Sequence, residues 1–200
     1  MENLEELENL IRILKSLPSI NQKAAEKIAS YLINQDEEFI QEFINSLKQA
    51  KTEIHFCKKC NNICRSEICD ICKNKSRDSS KLCIVSSSED LEKIEETNSY
   101  NGKYYVINGE INIKTKTSID KKILTKLMDL LRLNNIKEII LANNWTPNGE
   151  ATAYFLKKII NEVSKDILVY RLAVGLPINS ALSYADNETL SQAIKNKTKY

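Results

Sequence analysis

Four cysteines stand in a pattern that can hold a metal ion. Cys57-x2-Cys60 is followed, after eight residues, by Cys69-x2-Cys72. Each C-x2-C pair forms a compact knuckle that turns two sulfurs toward one ion, and two facing knuckles complete a tetrahedral four-sulfur shell. Such a shell leaves no open position, so the spacing predicts one structural zinc per chain and no catalytic metal. Two disulfides would need an oxidising compartment. An iron–sulfur cluster also takes four thiolates, but the paired knuckles favour zinc. Cys64 lies inside the loop and could compete as a ligand; the symmetry of the two x2 pairs argues against it. His55 is surplus once four thiolates satisfy the ion. Cys83 falls in an apolar run and reads as a small buried hydrophobe.

The segment carrying these cysteines is too short and polar for a core of its own, so the metal must supply its folding energy. Elements on either side must position it. Leu4, Leu7, Ile11 and Leu14 recur at helical spacing, predicting a first helix that ends near Ser16. Pro18 marks a tight turn across Leu17–Asn21. A second helix places Ala25, Ile28, Ala29 and Leu32 on one face. A third starts at Asp36 as N-cap and turns Phe39, Ile40, Phe43, Ile44 and Leu47 inward. Beyond a charged linker over Lys73–Ser80, strand-like runs at Leu82–Val85, Tyr104–Ile107, Glu138–Leu141 and Ile167–Leu172 alternate with helical patterns at Glu89–Glu96, Ile119–Leu133 and Glu150–Val163. That alternation predicts a parallel α/β sheet.

The 200 residues carry a net charge of +2, with 42% hydrophobic and 28% charged residues, the balance of a soluble protein. No apolar run approaches the roughly 20 residues a bilayer span needs. The acidic opening segment reads as an amphipathic helix and not a signal peptide, so the expected location is the cytoplasm, where thiols stay reduced. From Lys51 to Lys81 eight Lys or Arg face four Asp or Glu, and zinc with four thiolates lowers that surplus from four to two. The basic tail Lys195–Tyr200 is expected to be mobile or partner-dependent.

The first two helices and their turn resemble a helix–hairpin–helix, in which turn N–H groups and the next helix N-terminus meet a DNA phosphate. Lys23 and Lys27 would then be the DNA-binding side chains. Ser19 and Asn21 stand where that motif has glycines, and Asn tolerates the left-handed conformation. The plain alternative is an ordinary helix pair with solvated lysines.

In order and length the whole chain resembles the RecR family of bacterial recombination mediators. The resemblance rests on Leu17-Pro18 with Lys23 and Lys27, the four cysteines, Gly149-Glu-Ala-Thr152, Gly175-Leu-Pro177, and Tyr184-Ala-Asp186 with Thr189-Leu190. It implies an α+β multi-module fold: a helix–hairpin–helix region (1–53), a four-cysteine zinc finger (54–73), an α/β Toprim domain with a parallel sheet (80–175) and a short C-terminal helical segment for oligomerisation (176–200). It also implies a non-enzymatic role in recombinational DNA repair. The chain would act with RecO and RecF as a dimeric or tetrameric ring that clamps DNA and helps load recombinase at single-stranded gaps.

Departures from the family pattern bear on chemistry. Active Toprim enzymes hold Mg²⁺ with a Glu and an Asp-x-Asp, and the matching positions here are Ser86, Asn144 and Thr146. Asn148 replaces another family Glu, which leaves Glu150 as the main acid. The loop after Asn108-Gly109 reads Glu110-Ile-Asn-Ile-Lys-Thr-Lys-Thr117 where the family has Gly and Pro, and Asn179-Ser180 replaces a Gly-Gly. Because Mg²⁺ prefers anionic oxygen ligands, no catalytic residue is expected. Glu150 and Trp145 are then candidates for partner docking. Glu150 also suits the positive end of its helix, and partial burial is the plain reading of Trp145. Two rival readings are a metal-dependent Toprim nuclease or primase, and a zinc-ribbon protein adaptor that does not bind DNA.

Overall fold

Helix α1 (Glu5–Lys15) carries three acids in its first turn and Arg12 and Lys15 in its last, matching the helix dipole. The computed structural model describes residues 4–197. The outer ends of the predicted terminal modules, including half of the basic tail, therefore lie outside the described residues. The chain divides into two units between Ile54 and His55.

In the first unit α1 packs on α2 (Gln22–Ile33), where Ala25 and Ala29 are fully buried because small side chains let the helices approach. The turn between them departs from the predicted chemistry. Ser19, not Asn21, takes the left-handed conformation at φ 63°. Asn21 is extended and its side chain accepts the Ala24 N–H at 3.0 Å as N-cap. Capping satisfies an orphan donor at a helix start, and that gain outweighs asparagine's tolerance of positive φ. Asp36 caps α3 (Glu37–Glu53) by accepting the Phe39 N–H at 2.8 Å. The inward stripe expected on α3 is not buried: Phe43 is 48% and Leu47 66% exposed. Spacing gives a helix an apolar face, but only a neighbouring element can cover it.

The second unit begins with a two-stranded antiparallel ribbon, β1 (His55–Phe56) and β2 (Ile63–Cys64), and the short helix α4 (Asp70–Lys73). Next come β3 (Asp78–Val85), α5 (Ser88–Glu96), β4 (Gly102–Val106), α6 (Lys121–Leu133), β5 (Glu138–Ala142), α7 (Pro147–Val163) and β6 (Leu168–Arg171). The four strands β3 to β6 form one parallel sheet in the order β4-β3-β5-β6. The Lys73–Ser80 segment is thus not a linker throughout: Lys73 closes α4, and β3 already runs from Asp78.

Alternate residues of the strands enter two layers, as the two-residue period of a strand requires. Leu82, Ile84, Tyr105 and Ile139 face α6 and α7, where Leu127, Leu156 and Ile160 are fully buried. Cys83, Val85, Tyr104 and Val106 face α5 through Leu91. The strand order switches direction at β3 and β5, so a crevice opens beyond their carboxyl ends, the usual ligand position in such sheets. A 3-10 turn (Leu182–Tyr184) and α8 (Asn187–Lys195) follow. Asp186 caps α8 by accepting the Thr189 N–H at 2.9 Å and its hydroxyl at 2.7 Å. None of the described helices is long and apolar enough to cross a membrane.

Candidate metal centre and switch-point crevice

Sulfur atoms of Cys57, Cys60, Cys69 and Cys72 all lie within 4.8 Å of one another, and Cys60 and Cys69 are 3.5 Å apart. Tetrahedral Zn–S bonds of about 2.3 Å give S···S edges of about 3.8 Å, so the cluster matches one zinc ion. Backbone turns create it. The Asn61 N–H returns to the Cys57 carbonyl at 2.9 Å, and Asn61 adopts φ 62° to close the first knuckle. Cys69 caps α4, whose single turn brings Cys72 to the same side. The Cys69 N–H donates to the Cys57 sulfur at 3.3 Å, tying the two knuckles together. Cys64 is turned away and donates its thiol to the Ser66 carbonyl at 2.8 Å. His55 is exposed on the ribbon opposite Cys64.

The cluster's electrostatics call for a cation. The hydrogen bond between them pushes Cys60 up and holds Cys69 far below the ordinary thiol range, so the buried sulfurs share protons instead of all ionising. A divalent ion replaces those protons and lets four thiolates coexist. Spacing, geometry and charge agree on one zinc ion held by these four cysteines.

The zinc module is fastened to the edge of the sheet. The Val106 N–H donates to the Cys60 carbonyl at 2.8 Å, and the Asn61 amide donates to the Val106 carbonyl at 2.9 Å. Lys103 Nζ donates to the carbonyls of Ile71 at 2.9 Å and Asn74 at 2.6 Å, closing the end of α4. The module so covers the outer strand β4, whose unpaired edge would otherwise invite association. Cys83 is 2% exposed in β3, and burial alone pushes its thiol up to about 12.

At the crevice, Ser86 and Asn143 are buried beyond the ends of β3 and β5. A carboxylate sits beside them, and it is Glu110, from the changed loop after β4. Glu110 Oε1 accepts the Ser86 hydroxyl at 2.8 Å and the Asn144 N–H at 2.9 Å. Asn143 Nδ2 donates to Ser86 Oγ at 3.0 Å. Gly109, at φ 127°, makes the bend, and its N–H donates to the Ser86 carbonyl at 2.8 Å. Fully buried Thr152 accepts the Ile111 N–H at 2.8 Å, and Asn148 Oδ1 accepts the Ile113 N–H at 3.1 Å. Thr146 caps α7 by accepting the Gly149 N–H at 3.1 Å.

Arg171, at the end of β6, governs the other half. Its guanidinium donates to the carbonyls of Asn143 at 2.8 Å and Asn144 at 3.1 Å, and to the Glu150 carboxylate. The ring of Trp145 lies 4.5 Å from the same guanidinium, yet Trp145 remains 51% exposed. Glu150 does occupy the first turn of α7, but Arg171 neutralises it. Each carboxylate already gives its Oε1 to protein donors, which weakens the pair as a site for a hard divalent cation that needs several anionic oxygens.

Sequence alone did not mark Glu110 as a site residue, and Arg171 escaped notice altogether. The Asn108-Gly109 bend directly before Glu110 was a usable signal; nothing in sequence pointed to Arg171. The two DNA-binding candidates, Lys23 and Lys27, are both exposed one turn apart on α2, just beyond the tight turn.

Comparison with known proteins bears on all four regions. Residues 7–51 match the RecR helix-hairpin-helix model, 54–74 the RecR four-cysteine zinc finger, 80–173 the Toprim domain and 175–198 the RecR C-terminal model. The chain is 43% identical over 194 residues to Recombination protein RecR of Ureaplasma urealyticum, covering 97% of this chain and 96% of the relative. The namesake from Bifidobacterium adolescentis is 37% identical over 191 residues (96% and 94%), and that from Ligilactobacillus salivarius 38% over 198 (98% of both).

Proposed function

This chain belongs to the RecR family of recombination proteins, and on that premise we propose that it is a non-enzymatic, cytoplasmic, DNA-binding mediator of recombinational repair. In this reading residues 1–53 meet DNA, 54–73 hold the zinc and brace the sheet, 80–175 dock partners, and 176–200 join subunits. The partners are RecO and RecF, and the assembly is a ring that clamps DNA and helps load recombinase at gaps. The exposed apolar side chains of the C-terminal segment, among them Leu182 and Tyr184 at 61% and 88%, suit burial against another subunit.

The observation that carries DNA binding is the exposed pair Lys23 and Lys27 on the helix that follows the tight turn. They share one face four residues apart. Replacing both by Glu is expected to weaken DNA binding alike for all sequences. The slope of log K against log salt should shrink by about two contacts' worth. An unchanged affinity and slope would move the DNA site elsewhere.

The enzymatic reading is disfavoured by the Arg171 partner of Glu150 and by the hydrogen bonds that Glu110 Oε1 already accepts. Phosphoryl transfer needs metal ions or equivalent charge at the developing transition state. Incubation with nicked, gapped and single-stranded DNA, nucleotides, and Mg²⁺ or Mn²⁺ is expected to yield no cleavage, relaxation or primer synthesis. Activity that disappears in Glu150→Ala would establish the Toprim-enzyme reading instead.

A further inference from the structure

Two helices on opposite faces of the parallel sheet, α5 and α6, carry opposite charge. On one face α5 bears five acids, Glu89, Asp90, Glu92, Glu95 and Glu96, against Lys93 alone. On the other, α6 bears Lys121, Lys122, Lys126 and Arg132 against Asp129, which lies 3.8 Å from Arg132. The sheet therefore stands between an acidic helix, α5, and a basic one, α6, while α7 beside α6 is balanced with Glu150 and Glu162 against Lys157 and Lys158.

The basic side continues onto the zinc module. Lys59, from the first knuckle, and Lys126, from α6, line a single cleft of about 460 Å³ whose floor includes Leu82, Leu130 and Ile136. Lys122 stands one turn from Lys126 on the same side of α6. None of these three lysines forms an ion pair among the described residues. The methylene stems of Lys59 and Lys126 can lie on the apolar floor while the ammonium groups stay in water. The backbone beside Lys59 is anchored to the sheet, because the Cys60 carbonyl accepts the Val106 N–H at 2.8 Å.

We propose that this tract, Lys59 with Lys122 and Lys126, is a second contact surface for the DNA phosphodiester backbone. The inference rests on the DNA-binding reading above but uses different residues in a different unit. Charge complementarity selects the occupant. The tract offers point charges on flexible stems, with no forked guanidinium among the three. Such side chains neutralise phosphates without reading sequence. The acidic α5 face would repel the same strand, which fixes the side of the sheet that DNA can approach.

The test measures binding of a labelled gapped duplex by the full chain across a salt series. The variant Lys59→Gln/Lys122→Gln/Lys126→Gln is expected to lower the salt slope by about three, with zinc content unchanged. Should Lys59→Gln cost the metal, Lys122→Gln/Lys126→Gln alone should lower the slope by about two. Lys93→Gln, on the acidic face, should leave it unchanged; an equal loss per charge there would mean net charge alone is felt and would overturn the proposal. A slope in the triple variant equal to that of the unmodified chain would also overturn it. No binding by the unmodified chain at low salt would instead overturn the DNA-binding reading itself, and this surface with it.

Discussion

Cys60→Ser is expected to abolish zinc binding, from about one ion per chain to none, and to unfold residues 54–74. The serine hydroxyl cannot replace a thiolate, and three remaining sulfurs would leave the shell open. In isolated zinc-finger peptides metal binding is worth on the order of 10 kcal/mol, and all of it is folding energy. The module has little else to draw on, since its buried cluster is the cysteines with Cys64, Ile68 and Ile71 beside them. Loss should spread to β4, because the Cys60 carbonyl and the Asn61 side chain both bond Val106. Metal analysis and limited proteolysis at Lys58 and Lys59 read the outcome. Acidification should act in the same direction, as zinc-bound thiolates have depressed proton affinity and their stabilisation is lost as pH falls. A metal-free Cys60→Ser protein as protease-resistant as the parent would refute the structural role.

The second large effect is expected at Gly149→Ala. A Cβ at this position would lie 2.0 Å from the Asn144 carbonyl oxygen and 2.9 Å from its carbon. Backbone cannot yield there cheaply. Asn144 donates its N–H to Glu110 and accepts from Arg171 through that same oxygen. Alanine gains about 1 kcal/mol as a helix former, but the clash wins. The net cost should be about 2–3 kcal/mol, lowering Tm by about 5–10 °C. Trp145, the single tryptophan, reports on the same loop. Its emission should change as its contact with Arg171 loosens. Unaltered stability and emission would show that α7 is not wedged against the loop.

Some of this was legible because it depends on local spacing. The four-cysteine set follows from two short repeats, as each knuckle is a backbone turn of a few residues. The strands and helices of the sheet follow from alternation, and their parallel pairing from the helices between them. The cap Asp36 acts within three residues of itself, so its role lies on the surface of the sequence. Ser19 shows the limit even of local reading. Asn21 could serve as left-handed residue or as cap, and one backbone position cannot do both.

By itself, then, the sequence determined the modules, the zinc ligands and the alternation that makes a parallel sheet, since each needs only neighbours along the chain. Tertiary structure alone decided what fills the crevice. Glu110 meets Ser86 across 24 residues and Asn144 across 34, and Arg171 reaches Glu150 across 21. No spacing encodes such meetings, because they arise only when the order β4-β3-β5-β6 gathers three loops at one end of the sheet. The fate of the α3 stripe was equally out of reach. A period of 3.6 residues makes a helix face apolar, but whether Phe43 and Leu47 are covered depends on what packs there, which periodicity does not encode.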